Sequence, residues 1–107
     1  MIQVVYHRDY HRVTVKGHAN SGEVGHDLVC AAVSMLSSTL AVNVAHMYSK
    51  RLVHEKVIVQ DDGYCEISCK TMGKYKYSVM MIFDSVCMGF DLLSQRNPEN
   101  VQYEIRG

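Results

Sequence analysis

The chain has 107 residues and a mass of 12.1 kDa, the size of a single domain spanning 1–107 with no room for separate catalytic and regulatory units. Hydrophobic residues make up 48% and charged residues 21%, which favours a packed core and excludes a disordered chain. Lys plus Arg is 11 and Asp plus Glu is 11, so the broad basic excess of a nucleic-acid binder is missing.

The first residues, Met1-Ile2-Gln3-Val4-Val5-Tyr6, alternate in polarity and read as a strand. They lack the basic stretch and long apolar segment of a signal peptide. No unbroken apolar run reaches the ~18 residues of a membrane span. The expectation is a cytoplasmic protein, with no membrane partner and no direct nucleic-acid partner, whose cysteines stay reduced. Arg8 to His11 is a polar turn, and Val13 and Val15 alternate with polar neighbours as a second strand ending at Gly17-His18. The two strands form a hairpin.

Residues 19–27 carry Gly22, Gly25, Asn20 and Ser21 and read as a loop. From Leu28 the period changes. Val29, Val33, Leu36, Leu40, Val44 and Met47 follow three-and-four spacing, one face of a helix ending near Tyr48. Its other face carries Cys30, Ser34, Ser37, Ser38, Ala41 and Ala45, small enough for another backbone to approach, within the chain or across a dimer. Lys56 to Gln60 is a third strand, Asp61-Asp62-Gly63 a turn, and Tyr64 to Lys70 a fourth strand. A second helix begins near Tyr75 with Val79, Phe83, Val86, Phe90 and Leu93 on one face, and ends before Pro98. Val101, Tyr103 and Ile105 alternate as a last strand. The order is ββ-α-ββ-α-β, an α+β fold with one mixed or antiparallel sheet covered by two helices.

The cysteines are Cys30, Cys65, Cys69 and Cys87, and their spacing is not a zinc pattern. Cys65, Ile67 and Cys69 share one strand face and read as core, as does Cys87 beside Val86. Neither metal nor cofactor is expected. His7 and His11 flank the first turn; surface placement is favoured over a metal site. His46 and His54 bracket Lys50-Arg51, with no role assigned. Met80, Met81 and Met88 are core or interface residues. Lys74, Tyr75 and Lys76 read as a solvated helix start.

Cys30 differs from the other three. Asp27 precedes the helix and can cap it, which sets Cys30 at the third helical position. There the positive end of the helix dipole favours a thiolate, and unpaired amides can face a developing oxyanion. His18, twelve positions earlier, sits where the loop can return it to the helix start and let it exchange a proton with the thiol. His26 is a competing base, although it would have to turn back sharply. Ser34 lies one turn after Cys30, bonded to the carbonyl of Cys30 or supporting the thiolate and substrate. The residues alone leave two readings open, a nucleophile and an inert helix-start cysteine.

Gly17-His18-Ala19, then Gly25, then Asp27-Leu28-Val29-Cys30-Ala31-Ala32-Val33-Ser34 resemble the signature of the ribosomal-processing cysteine protease family known as Prp. Leu28 stands where isoleucine is frequent, and the length and element order resemble that family over nearly the whole chain. The resemblance implies His18 as general base and Cys30 as nucleophile. Asp27 and Ser34 fall at supporting positions, and Gly22 and Gly25 lie in the loop where substrate contacts are expected. It further implies a homodimer that removes the N-terminal extension of the bacterial large-subunit ribosomal protein numbered twenty-seven. The order of histidine before cysteine, with a short gap, separates the site from papain-like and caspase-like arrangements. The alternative is a non-enzymatic dimeric module binding a ribosomal protein. A thiol redox protein is disfavoured because no resolving cysteine stands near Cys30 in sequence. Residues 19–26 are expected to move and close over a bound peptide.

Overall fold

Alternating apolar residues build a sheet with one face to cover. In the computed structural model, which describes residues 1–17 and 26–107, and only the backbone of His26 and Asp27, the strands are β1 (Ile2–His7), β2 (Arg12–Lys16), β3 (Val53–Asp61), β4 (Tyr64–Thr71) and β5 (Val101–Arg106). The helices are α1 (His26–Ser49) and α2 (Lys76–Arg96). The strand order is β3-β4-β2-β1-β5. β1 pairs antiparallel with β2 and parallel with β5, so the sheet is mixed. β4 pairs antiparallel with both β2 and β3.

Ile2, Val4 and Tyr6 on β1, Val13 and Val15 on β2, and Cys65, Ile67 and Cys69 on β4 are buried beneath the helices. The facing helical residues are the ones the spacing predicts: Val29, Val33, Leu40, Val44 and Met47 on α1, and Val79, Phe83 and Phe90 on α2. Cys87 joins them in place of Val86, which is half-buried. Burying Phe83 and Phe90 fully contributes about 1.5–3 kcal/mol each. The helices pack on each other where Gly89 meets Leu36, and a Cβ on Gly89 would come within 2.6 Å of Leu36 Cδ2. Leu28–Ser49 and Gly73–Arg96 are each long and apolar enough on average to cross a membrane, though neither is an unbroken apolar run. Here each turns its apolar stripe onto the sheet.

β1 and α2 are also joined by charge. The Tyr6 hydroxyl donates to Asp84 Oδ1 at 2.7 Å. Arg8 donates to both carboxylate oxygens, Nε to Oδ1 at 3.1 Å and Nη2 to Oδ2 at 3.0 Å. Bidentate pairing of this kind fixes geometry as well as adding energy.

Two readings are corrected. His11 is not a surface residue: it is 6% exposed and lies against Phe83, with ring centroids 5.9 Å apart. It closes the single 3-10 turn Arg8–Tyr10 in the left-handed region at φ 46°, and its carbonyl accepts the Cys69 amide at 3.1 Å. That turn folds the ring inward, and burial then holds its pKa below the usual histidine range. On the small-residue side of α1, Ser37 and Ala41 are buried within the chain, while Ser34, Ser38 and Ala45 stay exposed. Leu28, Met35 and Val42 are exposed apolar positions on α1, spaced by seven. Finally, α1 starts at His26, so Asp27 stands inside its first turn and Cys30 at the fifth helical position. The unpaired amides therefore belong to the turn before Cys30.

Candidate active site

The last residue of β2 hands the chain to Gly17 at the end of the sheet. Gly17 has φ +112°, closed to residues with a side chain, and its amide donates to the Gly63 carbonyl at 3.0 Å. A Cβ there would collide with the carbonyl oxygen of Met1. The chain thus leaves β2 with its direction fixed from two sides, immediately before His18. His18 itself, Gly22, Gly25 and the loop 19–25 lie outside the described residues, as do the side chains of His26 and Asp27.

The N-terminal half of α1 stands over the same end of the sheet. Between them is a cavity of about 320 Å³. Cys30, Val33, Ser34, Ser37 and Ser38 line it from the helix, and Ile2, Val15, Gly17 and Cys65 from the sheet. The β3–β4 turn, Gln60 to Tyr64, forms its outer rim. The structure thus brings Cys30 and Ser34 together in one concavity with the residue that precedes His18.

Of the four cysteines, Cys30 is half-buried and the other three are buried. Burial pushes the Cys69 thiol up to about 11 and the Cys87 thiol up to about 12. Cys65 is also raised by burial, opposed by its hydrogen bond with Ser37. Thiols in that state are neither accessible nor ionised near neutral pH, and the thiolate is the nucleophile. Cys30 is the one of the four that is not buried.

Sequence spacing missed three features. Cys65 shares the cavity with Cys30, although thirty-five positions separate them in the chain; the β2–β4 pairing of Val15 with Cys65 is what unites them. Gln60 and Asp61 also line the cavity, where the sequence showed only a strand end and a turn. Ser37, which reads as one more small residue, is buried with its hydroxyl donating to the Val33 carbonyl at 2.9 Å. Among the described residues, no group of three or more His, Cys, Asp or Glu is arranged to hold a metal ion.

A half-buried cysteine near a helix start thus lines a cavity beside the strand end that precedes His18. The chain belongs to the cysteine protease Prp family, whose model matches residues 1–102. It is thus a cysteine protease, and the non-enzymatic alternative is set aside. The solved structure of SMU.848 from Streptococcus mutans is similar at 32% identity and a TM-score of 0.71, covering 98% of this chain and 93% of that one. The essential ribosomal processing protease Prp from S. aureus, in complex with a substrate peptide, is similar at 18% identity and a TM-score of 0.70, covering 98% and 97%. The same enzyme with a covalently linked product peptide gives 20% identity and a TM-score of 0.71, again covering 98% and 97%. At those identities the S. aureus structures speak for the fold. No curated protein matches the chain.

Proposed function

We propose that the protein removes the N-terminal extension of the bacterial large-subunit ribosomal protein numbered twenty-seven, with Cys30 as nucleophile and His18 as general base. The observation that carries this reading is the cavity that holds Cys30, the one cysteine of four that is not buried, beside Gly17. The substrate and product peptides of the S. aureus protease agree with a peptide lying across such a cavity.

In the first step His18 takes the thiol proton and the Cys30 sulfur bonds to the scissile carbonyl carbon. The carbonyl oxygen becomes an oxyanion, which amides of the first turn of α1 stabilise. The C–N bond then breaks, His18 returns its proton to the leaving amine, and a thioester remains on Cys30. Water, deprotonated by His18, attacks the thioester; the extension leaves as a carboxylate and the thiol is restored. Asp27 and Ser34 support the thiolate or the histidine.

The enzyme acts in the cytoplasm, where its substrate is made, and four free thiols suit that compartment. It acts as a homodimer, and the exposed positions Leu28, Met35 and Val42 on α1, with Tyr77, Met88 and Leu92 on α2, offer the second copy an apolar face. Iodoacetamide labelling read by mass spectrometry tests the nucleophile: Cys30 labels first in wild type and more slowly in His18→Ala. Labelling of Cys65, Cys69 or Cys87 ahead of Cys30 would overturn the assignment.

A further inference from the structure

The cavity extends beyond the reacting sulfur. Cys30, Ser34 and Ser38 line it at four-residue intervals on α1, so Ser38 stands about 12 Å along the helix from Cys30. Gln60 faces it from β3, opposite Cys65 in the β3–β4 register. Gln60 Nε2 donates to Ser38 Oγ at 3.5 Å, and this contact bridges helix and sheet at the cavity's far end. Both side chains are exposed, and the distance lies beyond the usual 2.7–3.2 Å range. A contact so long and so wet costs little to exchange for another partner. Near Cys30 the lining includes the apolar Ile2, Val15 and Val33, whereas this far end offers a hydroxyl and an amide.

We propose that Ser38 and Gln60 form a specificity-determining pair that hydrogen-bonds the substrate three or four residues from the scissile bond, on one side of it. The spacing follows from geometry, since an extended chain advances about 3.3 Å per residue and 12 Å is three or four such steps. The free ends of the pair match the backbone of an extended peptide: the Gln60 amide group both donates and accepts, and the Ser38 hydroxyl does the same. The inference rests on Cys30 as the reacting residue. It adds that the enzyme reads a segment of definite length and not only the residues at the cut.

The test uses peptides from the junction of the extended ribosomal protein, lengthened one residue at a time on each side of the cut. In the wild type, kcat/KM rises on one side until the third or fourth residue is added and then levels. In Gln60→Ala the loss grows with length, about tenfold for peptides that reach the fourth residue and less than twofold for those that stop at the second. Ser38→Ala behaves like Gln60→Ala, and Ser38→Thr, which keeps the hydroxyl, restores most of the gain. Anisotropy of labelled peptides on Cys30→Ala reads the same length dependence without cleavage. A loss equal at every length, or no loss, in a variant with wild-type circular dichroism would overturn the pair's role while leaving Cys30 as nucleophile. Length-dependent binding by Cys30→Ala beside a wild type that cleaves nothing would retain the pair and overturn the proposed activity.

Discussion

The amide of Gly17 donates to the carbonyl of Gly63 at 3.0 Å, tying the strand that leads to His18 to the turn that rims the cavity around Cys30. A base must stand within hydrogen-bond reach of the group it deprotonates, so a fixed departure point for the chain is a catalytic requirement as well as a structural one. Gly17→Ala is expected to lose about 1–3 kcal/mol of stability, because φ +112° strains any side chain and Cβ meets the Met1 carbonyl. Turnover should fall further than the folded fraction does. Urea unfolding and single-turnover cleavage on one preparation separate the two; full activity in a folded Gly17→Ala protein contradicts the positioning role.

His18→Ala should slow turnover by about 10²-fold or more, the scale for losing a positioned acid–base group, and His26→Ala by much less. Steady-state cleavage of one junction peptide decides the ranking. The reverse order would transfer the role to His26.

Asp84 gives the fold a pH dependence. Its hydrogen bonds from Arg8, and then from Tyr6, hold the carboxyl below its ordinary value against the opposing effect of burial. A carboxylate whose pKa is lower in the folded protein stabilises the fold fully above its unfolded value, roughly pH 4, and that stability is lost as pH falls through the folded value. Wild type should therefore lose stability on acidification below about pH 4 more steeply than Asp84→Asn. Thermal unfolding of both proteins from pH 6 to pH 2.5 reads the difference, and parallel curves would contradict it.

The proposed dimerisation through the exposed helical face predicts that Met35→Lys combined with Val42→Lys shifts the protein toward its 12.1 kDa monomer. Lysine at both positions would have to bury charge in an apolar contact. Sedimentation at micromolar concentration checks this. A dimer unaffected by both changes would put the contact elsewhere.

Local periodicity carried much of this fold. Ile2, Val4 and Tyr6 declare β1, and Val29 to Met47 declare the buried stripe of α1, because each pattern repeats a backbone period. β3 begins at Val53, four residues before the apolar run 57–59, because it is an edge strand and His54, Glu55 and Lys56 between them are exposed and polar. His11 was misread because its burial depends on the left-handed turn that carries it and on Phe83, seventy-two residues away. The Asp84 clamp on Tyr6 and Arg8 spans 78 and 76 residues and leaves no local trace. The helix start near Cys30 was legible because it is a local feature, although its first residue is His26. Cys65 and Gln60 enter the same cavity only through pairing between strands, which local spacing does not encode.

The central claim is peptide-bond cleavage by Cys30. The most direct measurement incubates wild type and Cys30→Ala with the extended ribosomal protein and follows the intact mass of the substrate. Cys30 is half-buried, so its loss costs little packing, and circular dichroism should match between the two proteins. Wild type should convert the substrate to one shorter species and its released N-terminal peptide, while Cys30→Ala leaves the mass unchanged. Conversion by a folded Cys30→Ala protein, at any rate near that of wild type, would contradict the account.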